Sequence, residues 1–215
     1  MRKFKIILGE IWRGKSLLRA YTNLNVEGWM LHGKVIDIGG GKDPSYLRFM
    51  KKEGADVTSV DFKVPGGKDI DLEKDPLPYK DATADYVLMF NILEHLYNYS
   101  FALREAKRIL KPDGKLYGFV PFLIHYHPDP HDYFRYTKEA LEKIFKETGF
   151  IIESIQEVGA GPFSANFNNL MFAFPVIFRV PLFPFYYILD HMILKLKPHL
   201  KERYPLGYSF VLKKS

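Results

Sequence analysis

The chain of 215 residues is predicted to fold as an α/β protein, a mostly parallel sheet with helices on both faces. Two observations predict it. Between residues 34 and 158 short strand-like runs alternate with helical stretches, and Pro or Gly stands at the stops between them. The strand-like runs fall at 35–38, 57–60, 86–90, 115–120 and 151–155, and a last one closes the chain at 207–212. Helices are expected over 44–53, ending before Gly54; over 100–110, ending before Pro112-Asp113-Gly114; and over 138–148, ending before Gly149. The first thirty residues read as a helix and a loop, with Phe4, Ile7, Leu8, Ile11, Leu17 and Leu18 at helical spacing among basic residues. Their longest apolar run is 6–8, so neither a signal peptide nor a membrane span is expected there.

The length suits one well-buried domain, and 47% hydrophobic with 26% charged residues is an ordinary globular balance. The absence of cysteine excludes disulfides, thiolate zinc sites, iron–sulfur clusters and a cysteine nucleophile. The net charge of +6 is uneven. Residues 1–34 hold seven Lys/Arg against two acids and residues 195–215 hold six against one, so the stretch between them is net acidic. A basic balance often signals nucleic acid, but an acidic middle argues against a broad phosphate-binding face, and no nucleic-acid partner is expected. Aromatic residues reach 16% and cluster: Phe163, Phe167, Phe172, Phe174, Phe178, Phe183, Phe185, Tyr186 and Tyr187 fall in one short stretch.

Chemistry concentrates first at Val35-Ile36-Asp37-Ile38-Gly39-Gly40-Gly41-Lys42-Asp43-Pro44. A strand running into three glycines and a helix start lets the backbone turn with positive φ and lets a ligand approach closely. Asp43 is placed to cap the helix that Pro44 opens. A plain strand–helix turn reads the same way. A dinucleotide does not fit, because Pro44 takes the third glycine position of G-x-G-x-x-G and Asp37 would repel a pyrophosphate. Asp37 suits a cationic group instead, and Asp61, ending the second strand, suits two ribose hydroxyls.

Taken in order with Asp69-Ile70-Asp71-Leu72, residues 85–96 and residues 104–114, this stretch resembles the class I S-adenosylmethionine-dependent methyltransferases of the broad small-molecule type (type 11-like). The resemblance covers about residues 33–158, with one departure: Asp43 stands where the family's D-x-G-x-G-x-G pattern has a third glycine. It implies a Rossmann-like, doubly wound, three-layer αβα fold whose seven-stranded sheet is mostly parallel with an antiparallel last strand. It implies S-adenosyl-L-methionine as cofactor and S-adenosyl-L-homocysteine as product. By resemblance Asp37, Gly39, Gly40 and Gly41 would hold the methionine moiety, and Asp61 the ribose hydroxyls. Asp71 would receive the adenine amino group with Leu72 and Phe62 beside the ring, and Asn91 would face the methionine end. A single domain over 1–215 is expected: a helical cover over 1–32, the cofactor-binding core over 33–158, an aromatic insertion over 159–204 and the last strand over 205–215.

A sulfonium already activates its methyl group, so transfer needs alignment and water exclusion, and a base only where the acceptor must lose a proton. His95, in Leu93-Glu94-His95 after the strand over 86–90, is one candidate base and equally a structural histidine. The loop over 121–137 offers His131 and Tyr133 as acceptor-facing residues, Asp132 and Arg135 as a mainly structural pair, and Thr137 as a helix cap. Residues 131–137 also resemble a motif of methyltransferases from surface-glycan and envelope gene sets. His125, His127, Asp129 and His131 approach a metallo-hydrolase spacing, but a proline separates the last two and no partner ligand precedes them; no metal site is expected.

The stretch 159–200 carries prolines at 162, 175, 181, 184 and 198, and 170–189 holds a single charge, Arg179. It is long enough to span a bilayer, but its prolines argue against a regular spanning helix. Three readings stay open: short helices lying in a membrane interface with Arg179, Lys195 and Lys197 at the headgroups; a lid over an apolar acceptor; or a core or homodimer surface through 163–197. The expected function is methyl transfer to an O or N atom of a small, apolar or lipid- or glycan-linked acceptor. The expected place is the cytoplasm, with a peripheral position on an anionic membrane left open. The alternatives are a methyltransferase of a soluble metabolite using the insertion as a dimer surface, and a non-catalytic S-adenosylmethionine-binding partner protein. No Asn/Asp-Pro-Pro-aromatic run follows the strand over 86–90; the chain reads Asn91-Ile92-Leu93-Glu94 there instead, which argues against methylation of nucleic-acid bases.

Overall fold

The structure, a computed structural model, describes residues 2–60 and 70–215. Two helices, α1 (Arg2–Trp12) and α2 (Leu17–Asn25), precede β1 (Met30–Ile38). Then come β2 (Lys51–Val60), β3 (Ala84–Phe90), α3 (Tyr99–Ile109), β4 (Leu110–Pro121), α4 (Lys138–Glu147) and β5 (Phe150–Val158). Between β5 and β6 (Gly207–Lys214) lie α5 (Pro162–Leu170), α6 (Val176–Leu196) and the short α7 (Leu200–Arg203).

The strands form one sheet in the order β2-β1-β3-β4-β6-β5, parallel throughout except for β6, which runs antiparallel to both neighbours. This is the Rossmann-like α/β class, with six strands among the described residues rather than seven. After Ile70 the chain turns instead of pairing: the Asp71 carbonyl accepts from the N–H groups of Lys74 and Asp75, at 3.1 and 2.8 Å. The chain leaves β1 for β2 on one side and returns to β3 on the other. That reversal opens a crevice at the C-terminal ends of β1 and β3, where ligands of open α/β sheets bind.

The expected helix over 44–53 is not formed. Ser45–Arg48 makes one 3-10 turn, and β2 already begins at Lys51. Asp43 makes no cap, since the position before that turn is Pro44 with no side-chain hydrogen bond. The charged run Lys51-Lys52-Glu53-Gly54 looks helical in sequence, yet it lies on the outermost described strand, where charge is tolerated and wards off further pairing. The other two helices form as expected, and Thr137 caps α4 by accepting from the Ala140 N–H at 3.2 Å.

Alternation along the strands fills two cores. Ile36, Val87, Met89 and Leu116 face α3 and α4 through Leu103, Ala106, Leu141 and Phe145. Val35, Leu88, Phe90 and Phe119 face the other way, against Val26, Tyr46 and Met50. A third cluster joins the N-terminal helices to the insertion: Ile7, Ile11, Leu17 and Ala20 pack on Phe167, Met171 and Phe183. Within it Phe4 stacks on Phe183 at 5.6 Å.

Pro181 and Pro184 do not break the middle of the insertion, although Pro162, Pro175 and Pro198 stand at helix boundaries. α6 runs for 21 residues with Pro181 and Pro184 inside it. Each proline removes a ladder hydrogen bond at a cost of about 3 kcal/mol or more. Two anchors offset this. Phe183 is fully buried, and Asp190, equally buried, accepts from the Phe163 and Ser164 N–H groups at 2.9 and 2.7 Å. One carboxylate thus caps the start of α5 from a neighbouring helix.

Candidate active site

β1 delivers Asp37 to the crevice fully buried, and the Tyr46 hydroxyl lies 2.8 Å from both of its carboxylate oxygens. Tyr46 is itself held by stacking on Phe90, ring centroids 4.1 Å apart. The turn beyond Asp37 demands glycine. Gly39 has φ +74°, and a Cβ there would stand 2.0 Å from Ile92 Cδ1; a Cβ on Gly40 would stand 2.1 Å from Asp37 Oδ2. Gly41 also has positive φ, at +67°.

Across the crevice Asn91 ends β3 in the left-handed region, φ +55°, with its N–H bonded to the Phe119 carbonyl at 2.9 Å. Its buried Oδ1 has no hydrogen-bond partner among the described residues. Asp71 pairs with Lys74 at 2.8 Å, and that partner holds its carboxyl below the usual carboxylate range. Leu72 is buried beside Ile38 and Leu77 at the end of β1. Asp61 and Phe62 lie outside the described residues.

The turn Leu93–His95 and the loop after β4 are stitched together. Tyr136 Oη donates to the Leu93 carbonyl at 3.0 Å, the Tyr133 N–H to the Glu94 carbonyl at 2.8 Å, and His95 Nδ1 bonds the His131 carbonyl at 2.5 Å. A carbonyl can only accept, so His95 Nδ1 carries the proton and Nε2 is left as an acceptor in the neutral ring. Nε2 stands 3.7 Å from Glu94 Oε1. Glu94 is wholly buried, and neither of its carboxyl oxygens has a hydrogen-bond partner among the described residues. Burial pushes its carboxyl up to about 8, against the opposing pull of its own backbone N–H and then of Arg135 and Arg19. At neutral pH it is mainly the neutral acid, so the contact with His95 is not an ion pair.

His131 and Tyr133 sit exposed on the outer rim, their rings 5.2 Å apart. The histidines that face the cleft are instead His125, which is exposed, and His127, which is half-buried. They line a cavity of about 220 Å³ with Arg19 and Thr22 of α2, Asn91, Ile124, Asn168 and Phe172. Asp132 and Arg135 hold them there: the two form a bidentate pair at 2.5 and 2.6 Å, Asp132 accepts from the His127 N–H at 2.9 Å, and Arg135 donates to the His125 carbonyl at 3.3 Å. Arg19 and Glu94 carry no sequence signal for a site, since one reads as a solvated basic face and the other as part of a turn. A larger cavity of about 430 Å³, lined by Tyr21, Asn25, Asp190 and Lys201, lies in the seam between the N-terminal helices and the insertion, with no residue of the glycine turn.

A buried carboxylate, a glycine turn with no room for side chains and an unsatisfied amide oxygen fit a cationic, closely approached cofactor such as S-adenosylmethionine. The fold and this crevice define the class: a Rossmann-like, class I methyltransferase. The family described as a methyltransferase domain matches residues 15–155, and the chain belongs to it, with S-adenosylmethionine as the methyl donor. Two uncharacterized proteins of Methanocaldococcus jannaschii are similar, one 34% identical over 108 residues (48% of this chain, 41% of the relative), the other 30% identical over 134 residues (59% and 64%). The matches thus span less than two thirds of either relative. Among solved structures, an S-adenosylmethionine-dependent methyltransferase from Aquifex aeolicus shares the fold at TM-score 0.50 and 21% identity, over 71% of this chain and 93% of its own. So does a geranyl diphosphate C-methyltransferase from Streptomyces coelicolor, in complex with Mg²⁺, geranyl diphosphate and S-adenosylhomocysteine, at TM-score 0.56 and 10% identity over 89% and 78%. A 1,6-didemethyltoxoflavin-N1-methyltransferase from Burkholderia thailandensis, with its substrate and S-adenosylhomocysteine bound, gives 0.51 and 15% over 95% and 78%.

Proposed function

We propose that this chain methylates an oxygen or nitrogen atom of a small apolar, lipid-linked acceptor while lying on an anionic membrane surface. The observation that carries the reading is the open face of α6. Of its residues only Phe183 and Asp190 are buried, while Ile177, Phe185, Ile188, Met192 and Leu196, each more than half exposed, recur along one face. Phe172, on the turn before α6, is also exposed and lines the cavity beside Asn91. Arg179, Lys195 and Lys197 suit anionic headgroups at about 1 kcal/mol for each well-placed cation. By length and hydropathy α6 is also able to cross a membrane. Crossing would strip Phe183 and Asp190 from their partners and uncap α5, whereas lying in the interface keeps both anchors. Geranyl diphosphate in the Streptomyces neighbour gives a precedent for a lipid-like acceptor on this fold.

When bound, S-adenosylmethionine supplies a methyl group already activated on a sulfonium. Asp37 is assigned the cofactor's ammonium group, Gly39, Gly40 and Gly41 its close approach, and Asn91 its methionine end. Asp61 is assigned the ribose hydroxyls, with Phe62, Asp71 and Leu72 toward the adenine. His95 is assigned the acceptor proton through its Nε2, and His131 and Tyr133 the outer rim of the acceptor path.

Co-sedimentation with phosphatidylglycerol vesicles tests the surface, and a radiolabelled methyl donor offered with envelope lipid extracts tests the acceptor. Wild-type chain is expected to pellet with the vesicles and the Phe185→Asp/Ile188→Asp double variant to stay in solution. Equal recovery of both in solution, with wild-type dimers in sedimentation, overturns the membrane reading in favour of a dimer through the same face.

A further inference from the structure

The cavity between α2, the loop after β4 and the turn at Phe172 is built from groups that transfer of the methyl itself does not require. We propose that it is an anion-binding subsite centred on Arg19, taking a phosphate or carboxylate group carried by the methyl acceptor; this rests on the acceptor reading above.

Arg19 is half-buried, and its guanidinium makes no hydrogen bond or ion pair among the described residues. Each of the other partly buried arginines has a partner: Arg108 pairs with Asp81 and Glu105, Arg135 with Asp132, and Arg179 donates to the Phe174 carbonyl. A partly desolvated guanidinium without an acceptor is costly, so its complement is expected in the working complex. Burial lowers its value, and the groups that oppose this are the Tyr46 hydroxyl and then Glu94, which is itself held neutral by burial.

The rest of the lining points the same way. It contains no carboxylate, while His125 and His127 place two imidazoles opposite α2. His127 Nδ1 is buried without a partner among the described residues. The Asn168 carboxamide oxygen already accepts from the Leu18 N–H at 2.8 Å, which leaves only its donor side for a ligand. Guanidinium, imidazole and amide donors around one hollow are the chemistry that recognises phosphate or carboxylate oxygens.

The subsite lies beside the cofactor crevice: none of its lining residues belongs to the Asp37–Gly41 turn, while Asn91 borders both and Arg19 lies near Tyr46, which holds Asp37. At about 220 Å³ the cavity accommodates an anionic head and a few carbons. Phe172 and Ile124 offer the apolar wall along which the remainder would leave toward α6.

Calorimetry on the full chain saturated with S-adenosylhomocysteine tests this with octyl phosphate, octanoate, octanol and inorganic phosphate as probes. At least one octyl anion should bind about tenfold or more tighter than octanol. Arg19→Gln should erase that preference and Arg19→Lys retain part of it, with S-adenosylhomocysteine affinity within about twofold of wild type in both. An octyl anion tighter than inorganic phosphate marks a lipid-borne anion, and equal affinities mark a soluble one; both support the subsite. No preference for anions over octanol overturns it, as does loss of S-adenosylhomocysteine binding in Arg19→Gln, which would place Arg19 on the cofactor. Failure of the wild-type chain to bind S-adenosylhomocysteine refutes the methyltransferase reading itself, a separate outcome.

Discussion

Glu94 makes the stability of this chain depend on pH in a direction opposite to that of most carboxylates. Burial with no hydrogen-bond partner among the described residues raises its folded value to about 8, from 4.5 when exposed. The folded state therefore holds a proton that the unfolded state has released between those two values. Stability falls as pH rises through that window and levels off above it. At about 1.4 kcal/mol per unit, the rise from pH 6 to pH 9 costs about 3 kcal/mol. For a chain of this size that corresponds to a fall of about 6–12 °C in Tm. Glu94→Gln keeps the shape of the neutral acid and cannot ionise, so its Tm should lack this fall. Thermal unfolding of both proteins from pH 5 to pH 9 reads the difference directly. A wild-type-minus-variant gap that is the same at pH 6 and pH 9 would refute the reasoning, because no proton would then be linked to folding at this position.

Gly40→Ala forces a methyl group against the Asp37 carboxylate, whose position Tyr46 restrains, and should weaken S-adenosylhomocysteine binding about tenfold or more by calorimetry. Unchanged affinity would detach Asp37 from the cofactor. Asp190→Ala removes the acceptor of two α5 N–H groups and leaves them buried, which should cost about 2–4 kcal/mol in urea unfolding. A loss below about 0.5 kcal/mol would mean that α5 is capped in another way. The Phe185→Asp/Ile188→Asp variant should unfold with the wild type, since both side chains are exposed, and any vesicle defect it shows is then a surface effect.

Local chemistry was legible where one short segment carries its own instructions. The apolar run 35–38 followed by three glycines makes the end of β1 readable, because positive φ at Gly39 and Gly41 and the want of space at Gly40 are local demands. The stops at Gly149 and before Pro112 mark α4 and α3 for the same reason. The segment 44–53 was misread because its charges fit an exposed helix as well as an outer strand, and only pairing with β1 decides between them. The prolines of α6 were misread as breaks because the contacts that hold the helix, Phe183 on Phe4 and Asp190 on α5, come from residues far away in the chain.

The same division runs through the site. The alternation of elements and the acid before the glycines determined the α/β class and a cationic ligand from sequence alone, since both depend on short-range backbone geometry and charge, and the resemblance carried by the ordered motifs implied S-adenosylmethionine. Which histidines line the cavity was decided by tertiary structure. The Asp132–Arg135 pair turns the backbone so that His125 and His127 line the cavity while His131 and Tyr133 stay on the rim. Arg19 becomes a candidate anion receptor, and Glu94 a buried neutral acid, only once α2 and the loop after β4 close over the ends of β1 and β3. Desolvation is a property of everything packed around a group, and no stretch of sequence contains it.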